Sequence, residues 1–94
     1  MPYIKEEERN ELDHAVETMI QAIKGDNSDF ANFLGRINYC FSRVLSGVMG
    51  KVSYSKIAMA TGVIENIKQE FYRRIAANYE DKKILENGDI REYK

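Results

Sequence analysis

Residues 29–48 read Asp29-Phe30-Ala31-Asn32-Phe33-Leu34-Gly35-Arg36-Ile37-Asn38-Tyr39-Cys40-Phe41-Ser42-Arg43-Val44-Leu45-Ser46-Gly47-Val48, and this stretch decides the fold. Phe30, Leu34, Ile37, Phe41, Val44, Leu45 and Val48 follow one another at steps of four, three, four, three, one and three. That is close to a heptad seam, the pattern of a helix with one apolar stripe. The other face carries Asn32, Arg36, Tyr39, Arg43 and Gly47. Gly47-Val48-Met49-Gly50 supplies a stop, and Ser53-Tyr54-Ser55 offers caps for a further helix.

Upstream, residues 5–24 repeat the theme with Leu12, Val16, Met19, Ile20 and Ile23 on one stripe. Glu6-Glu7-Glu8 suits the positive end of a helix dipole. Gly25 is a natural stop, and Asp26-Asn27-Ser28-Asp29 brings turn and N-cap chemistry. Downstream, residues 54–83 contain no breaker but Gly62, and the stripe is Ile57, Thr61, Ile64, Ile67 or Lys68, Phe71, Ile75 and Tyr79. A glycine inside a helix costs roughly 1 kcal/mol relative to alanine, which a long helix absorbs. Asn87-Gly88 is a turn signal, so residues 86–94 read as an extended or loosely ordered tail. The only proline is Pro2, so nothing later forces a break. The expected fold is all-α: a single domain over residues 1–94, a small antiparallel bundle of three helices with a long third one.

The chain has 94 residues, 31% charged and 44% hydrophobic, an ordinary globular balance. Fourteen Lys and Arg against fifteen Asp and Glu leave a net charge of −1, so no broad basic face tracks a phosphate backbone. No apolar run approaches the length of a membrane span, and the N-terminus lacks the layout of a secretory signal. One cysteine, Cys40, excludes an internal disulfide and a cysteine-based zinc site. The expected location is cytoplasmic, with no membrane partner and no cofactor indicated. A third helix roughly 40 Å long at 1.5 Å per residue exceeds the about 12 Å radius of gyration of a compact chain this size. With Tyr72, Ile75 and Tyr79 on it, it wants a partner surface, and a homo-oligomer of two-fold or higher cyclic symmetry is expected.

Gly62-Val63-Ile64-Glu65-Asn66-Ile67-Lys68-Gln69-Glu70-Phe71-Tyr72-Arg73-Arg74, then Tyr79-Glu80-Asp81-Lys82-Lys83-Ile84 and Glu86-Asn87-Gly88-Asp89-Ile90, resemble a family of short uncharacterised proteins of phages, bacteria and archaea. That family's pattern is roughly G-V-hydrophobic-E-x-hydrophobic-K-x-E-F-Y-R-R, P-Y-E-D-x-K and E-N-G-D. Met1-Pro2-Tyr3-Ile4 and Gly35-Arg36-Ile37-Asn38-Tyr39 resemble it as well. Two positions depart from it: Asn78 stands where a proline is common, and Asn66 where a cysteine is. The first implies that the helix continues through Tyr79. The resemblance brings no established activity; it implies a prokaryotic or viral source, hence the host cytoplasm if the chain is phage-encoded.

Enzyme chemistry finds little support in the residues. Cys40 with His14 as base is outweighed by Cys40 packing as a small hydrophobe beside Tyr39 and Phe41. Glu65, Glu70 and Asp81 are carboxylates of the acid–base type, but Glu70 four residues before Arg74 reads as an ordinary helical ion pair. No Glu-x-x-His motif supports a di-iron bundle, and Gly47-Val48-Met49-Gly50-Lys51 lacks the spacing of a phosphate loop. The informative constellation is cationic and aromatic: Arg36, Tyr39 and Arg43 on the second helix, and Lys68, Tyr72, Arg73 and Arg74 on the third. Arginine offers a planar fork for phosphate and tyrosine a stacking face for a base. Two functions follow as expectations. One is a non-catalytic ligand-binding protein, by analogy with phage anti-defence sponges, that sequesters a small anionic nucleotide signal between subunits through these seven residues. The other is a helical interaction or structural module that docks a host or phage protein, for which an exposed apolar patch on the third helix or an ordered tail would speak.

Overall fold

A computed structural model describes residues 4–26 and 29–94. Asn27 and Ser28 of the expected cap, and Met1-Pro2-Tyr3 of the family-like opening, lie outside the described residues. The protein is all-α as expected, with three helices in chain order and no strand among the described residues. Helix α1 runs Glu6–Lys24, α2 runs Leu34–Met49, and the third helix is built from α3 (Tyr54–Phe71), a π-helical turn (Tyr72–Ala76) and α4 (Ala77–Asn87). By its internal contacts the chain divides into two units, Met1–Ser53 and Tyr54–Lys94.

In the first unit, α1 ends at Gly25, whose φ of 53° suits glycine and whose N–H donates to the Gln21 carbonyl at 2.9 Å. The second helix starts later than the apolar pattern implies. Phe30–Phe33 form a 3₁₀ turn, capped by Asp29, whose carboxylate accepts the Ala31 N–H at 3.1 Å. The Phe30 and Phe33 rings meet edge to face within that turn, 6.0 Å between centroids. Gly50, with φ 68°, then ends α2.

In the second unit, helix continues past Gly62 and past residue 83, the end expected from the pattern, to Asn87. At about 1.5 Å per residue that is roughly 50 Å of helix. Gly88, with φ 83°, ends it, so the Asn-Gly signal marks a helix terminus two residues into what reads as tail. The tail is not simply extended, since Arg91–Tyr93 form a 3₁₀ turn.

Among the described residues neither unit has a core. Not one described residue is buried, and the half-buried residues of the first unit, Met19, Ile23, Phe33, Ile37, Cys40, Leu45 and Met49, stop short of full burial. The stripe residues Leu34, Phe41 and Val48 of α2 are 55%, 56% and 81% exposed. Ile57, Ile64, Phe71 and Tyr79 of the third helix are likewise exposed.

Candidate functional site

Arg36 lies in the first turn of α2 and points back at the end of α1. Its Nη1 donates to the Ala22 carbonyl at 3.1 Å and the Ile23 carbonyl at 3.3 Å. These are two of the carbonyls a helix leaves without intrahelical donors at its C-terminus, where a cation is also favoured by the helix dipole. Ala22, Ile23, Gly35, Arg36, Tyr39 and Cys40 line an open cleft of about 320 Å³ at this junction. Three residues after Cys40, the Arg43 guanidinium lies 5.9 Å from the centre of the Tyr39 ring. The structure therefore brings Arg36 and Tyr39 into one cleft, with Arg43 stacked on Tyr39.

On the third helix the predicted residues find partners on their own helix. Lys68 pairs with Glu65 at 3.2 Å, and Gln69 Nε2 donates to the same carboxylate. Arg73 Nη2 donates to Glu70 Oε1 at 2.8 Å, and Arg74 Nε donates to the same oxygen. The hydroxyl of Tyr72 donates to Glu80 Oε1 at 2.7 Å. These bonds shift the acids and the phenol in opposite directions. The Glu65 carboxyl is held below its usual range by the Gln69 and Lys68 bonds, and that of Glu70 chiefly by the Arg74 bond. The Tyr72 hydroxyl is pushed above its usual range because it donates to, and lies beside, the Glu80 carboxylate.

The π turn explains why Tyr72 finds Glu80. The Ala77 N–H reaches back five residues to the Tyr72 carbonyl, which inserts one extra residue into the helical repeat. Two turns of plain α-helix would place residue 79 nearest Tyr72; with one residue inserted, residue 80 takes that place. The same insertion puts Tyr79, eight residues after Phe71, in line with the sevenfold series Ile57, Ile64, Phe71. Asn78 Nδ2 donates to the Arg74 carbonyl at 2.7 Å. A proline at 78 would set its ring against that very carbonyl, four residues back, so asparagine suits an unbroken helix here.

The sequence missed several of these features. Ala22, Ile23 and Gly35 line the cleft because α1 ends where it does, and Glu80 accepts from Tyr72 because of the π turn; neither leaves a mark in residue spacing. Cys40 lies in the cleft beside Ala22 and Ile23, while His14 is eight residues before Ala22, about 12 Å along α1. The two are not poised as nucleophile and base. Among the described residues no group of His, Cys, Asp and Glu could hold a metal ion, and no helix is long and apolar enough to cross a membrane.

A family model, the domain of unknown function DUF6899, matches residues 1–90, and the chain belongs to that family. No curated protein and no solved structure matches it.

Proposed function

We propose that this member of the DUF6899 family is a non-catalytic interaction module, which works by docking the apolar faces of its helices on another protein surface in the cytoplasm. The observation that carries the reading is the lack of any buried residue among those described in either unit, alongside regular apolar stripes on α2 and the third helix. Chains of about 40 to 50 residues lie at the margin of what a single core can stabilise, and units of that size complete their burial by association. The cationic and aromatic residues support the same reading. Lys68, Tyr72, Arg73 and Arg74 are spent on Glu65, Glu70 and Glu80, and Arg36 on the end of α1. The assembly is a homo-oligomer, with the third helix free to engage a host or phage protein.

One observation favours a second reading, that of a phage-encoded sponge for a nucleotide immune signal. The cleft of about 320 Å³ presents Arg36 and Tyr39 side by side, a cation and a stacking ring. Native mass spectrometry of the purified chain, alone and with cyclic and linear nucleotides, separates the two. The module predicts a discrete assembly with no nucleotide retained. A stoichiometric nucleotide, released intact on denaturation and lost in Arg36→Ala, would overturn it in favour of the sponge. In the same assay, Arg73→Ala combined with Arg74→Ala leaves the assembly and its lack of nucleotide unchanged and lowers only the helicity of the third helix.

A further inference from the structure

We propose that Asn87 is a site of spontaneous deamidation through Gly88, held back by the last turn of the third helix and released when that turn opens. The chemistry is intramolecular and needs no partner for the apolar faces.

The side-chain amide carbon of an asparagine, Cγ, lies one five-membered ring away from the backbone nitrogen of the next residue. That nitrogen, its proton lost to water, attacks and forms an N–Cγ bond. The Cγ–Nδ2 bond breaks, and ammonia leaves with a proton taken up from water. A second water then opens the succinimide. Opening at Cγ gives aspartate. Opening at the backbone carbonyl gives isoaspartate, with Gly88 now joined through the former side chain. Water is the only co-reactant, and nothing is oxidised or reduced.

Three observations single out Asn87. It is the only asparagine of the chain followed by glycine, and every other such neighbour carries a Cβ that crowds the attacking nitrogen. It is also exposed, as the last residue of α4. Among the described residues no hydrogen bond holds its side-chain amide, whereas that of Asn78 is engaged with the Arg74 carbonyl. The third observation is the latch. The Gly88 N–H donates to the Ile84 carbonyl at 2.8 Å, with Gly88 at φ 83° closing the turn. That bond occupies the attacking nitrogen, and the helical backbone of Asn87 keeps it away from Cγ. Helix ends fray, so the latch opens locally without the rest of the helix unfolding.

The product keeps the turn open. A carboxylate at position 87 joins Glu86 and the half-buried Asp89 at the negative end of the helix. Lys83 offers little relief, since it already pairs with Glu86 at 3.0 Å. Isoaspartate also adds a carbon to the main chain, which takes the Gly88 N–H out of register with the Ile84 carbonyl. The change is one-way, and it frees residues 88–94 from the helix end.

Incubation of the full chain at neutral pH and physiological temperature, with and without guanidinium chloride, tests the proposal by tryptic mapping. Cleavage after Lys83 and Arg91 gives residues 84–91, in which Asn87 is the only asparagine. Aspartate and isoaspartate should accumulate in this peptide ahead of every other, about fivefold more slowly without denaturant than with it. Asn87→Gln, which would have to close a six-membered ring, should accumulate neither while circular dichroism retains the helices. Asn87→Asp should lower the helicity and speed limited trypsin cleavage at Lys83. No conversion at Asn87 in denaturant overturns the site. Equal rates in the two conditions overturn the latch, and an Asn87→Asp chain with undiminished helicity overturns the opening of the turn by the product.

Discussion

Gly25 and Arg36 act as one device. The backbone of Gly25 lies at φ 53°, and a Cβ there would come within 3.1 Å of the Arg36 Nη1. Arginine side chains usually yield, but this one is fixed by two carbonyls and can move only by giving them up. Gly25→Ala is therefore expected to cost about 1–2 kcal/mol, from backbone strain together with the lost cap. The urea midpoint measures it, and the cost should fall in an Arg36→Ala background, where only the strain is left. Gly62 gives the opposite sign. It lies inside α3 with open space where a Cβ would stand, so Gly62→Ala should stabilise the helix by about 0.5–1 kcal/mol, read as a higher melting temperature. The stop at Gly25 was legible in the sequence because glycine after an apolar repeat is a local signal. The grip of Arg36 was not, since it depends on where two helix ends meet.

For the helices, the apolar period and the glycines located all three, and the differences lie at their ends and in the π turn. Phe30 to Phe33 carry the same spacing as the helix they precede, so a pattern alone cannot separate a 3₁₀ turn from an α-helical one. Nor can it register one inserted residue, although the i, i+4 pair of Glu70 and Arg74 was readable directly. The pairs of the third helix give it a pH dependence with two limits. Glu65 and Glu70 titrate lower in the folded chain than in the unfolded one, so their contribution is complete above the unfolded value near 4.5 and is lost as pH falls through the lower folded value. Tyr72 titrates higher when folded, so the bond to Glu80 contributes fully below about pH 10 and is lost as pH rises through the folded value. Helicity followed by circular dichroism should thus be level between about pH 5 and 9. Glu70→Gln should flatten the acid limb and Tyr72→Phe the alkaline one.

At the scale of the molecule, the absence of any buried residue among those described, in both units, sets its behaviour more than any single contact does. The all-α class could be read from residues 5–83, but the same periodicity that identifies a helix says nothing of what covers its stripe. The partners of the cationic residues are hidden from spacing for a related reason: the carboxylate of Glu70, whose side chain is only 20% exposed, sits between Arg73 and Arg74. A chain stabilised by association has a stability that depends on its concentration. Its lifetime in a cell then follows the same law. Undocked helices open often, and an opened segment is a substrate for proteases. Lysines and arginines are spread along all three helices, so limited trypsin digestion should cut the dilute chain quickly and the concentrated chain slowly. On the proposed docking, copies made in excess of their partner would be degraded, and the amount of this protein would be set by turnover and by that partner's supply as much as by its own synthesis.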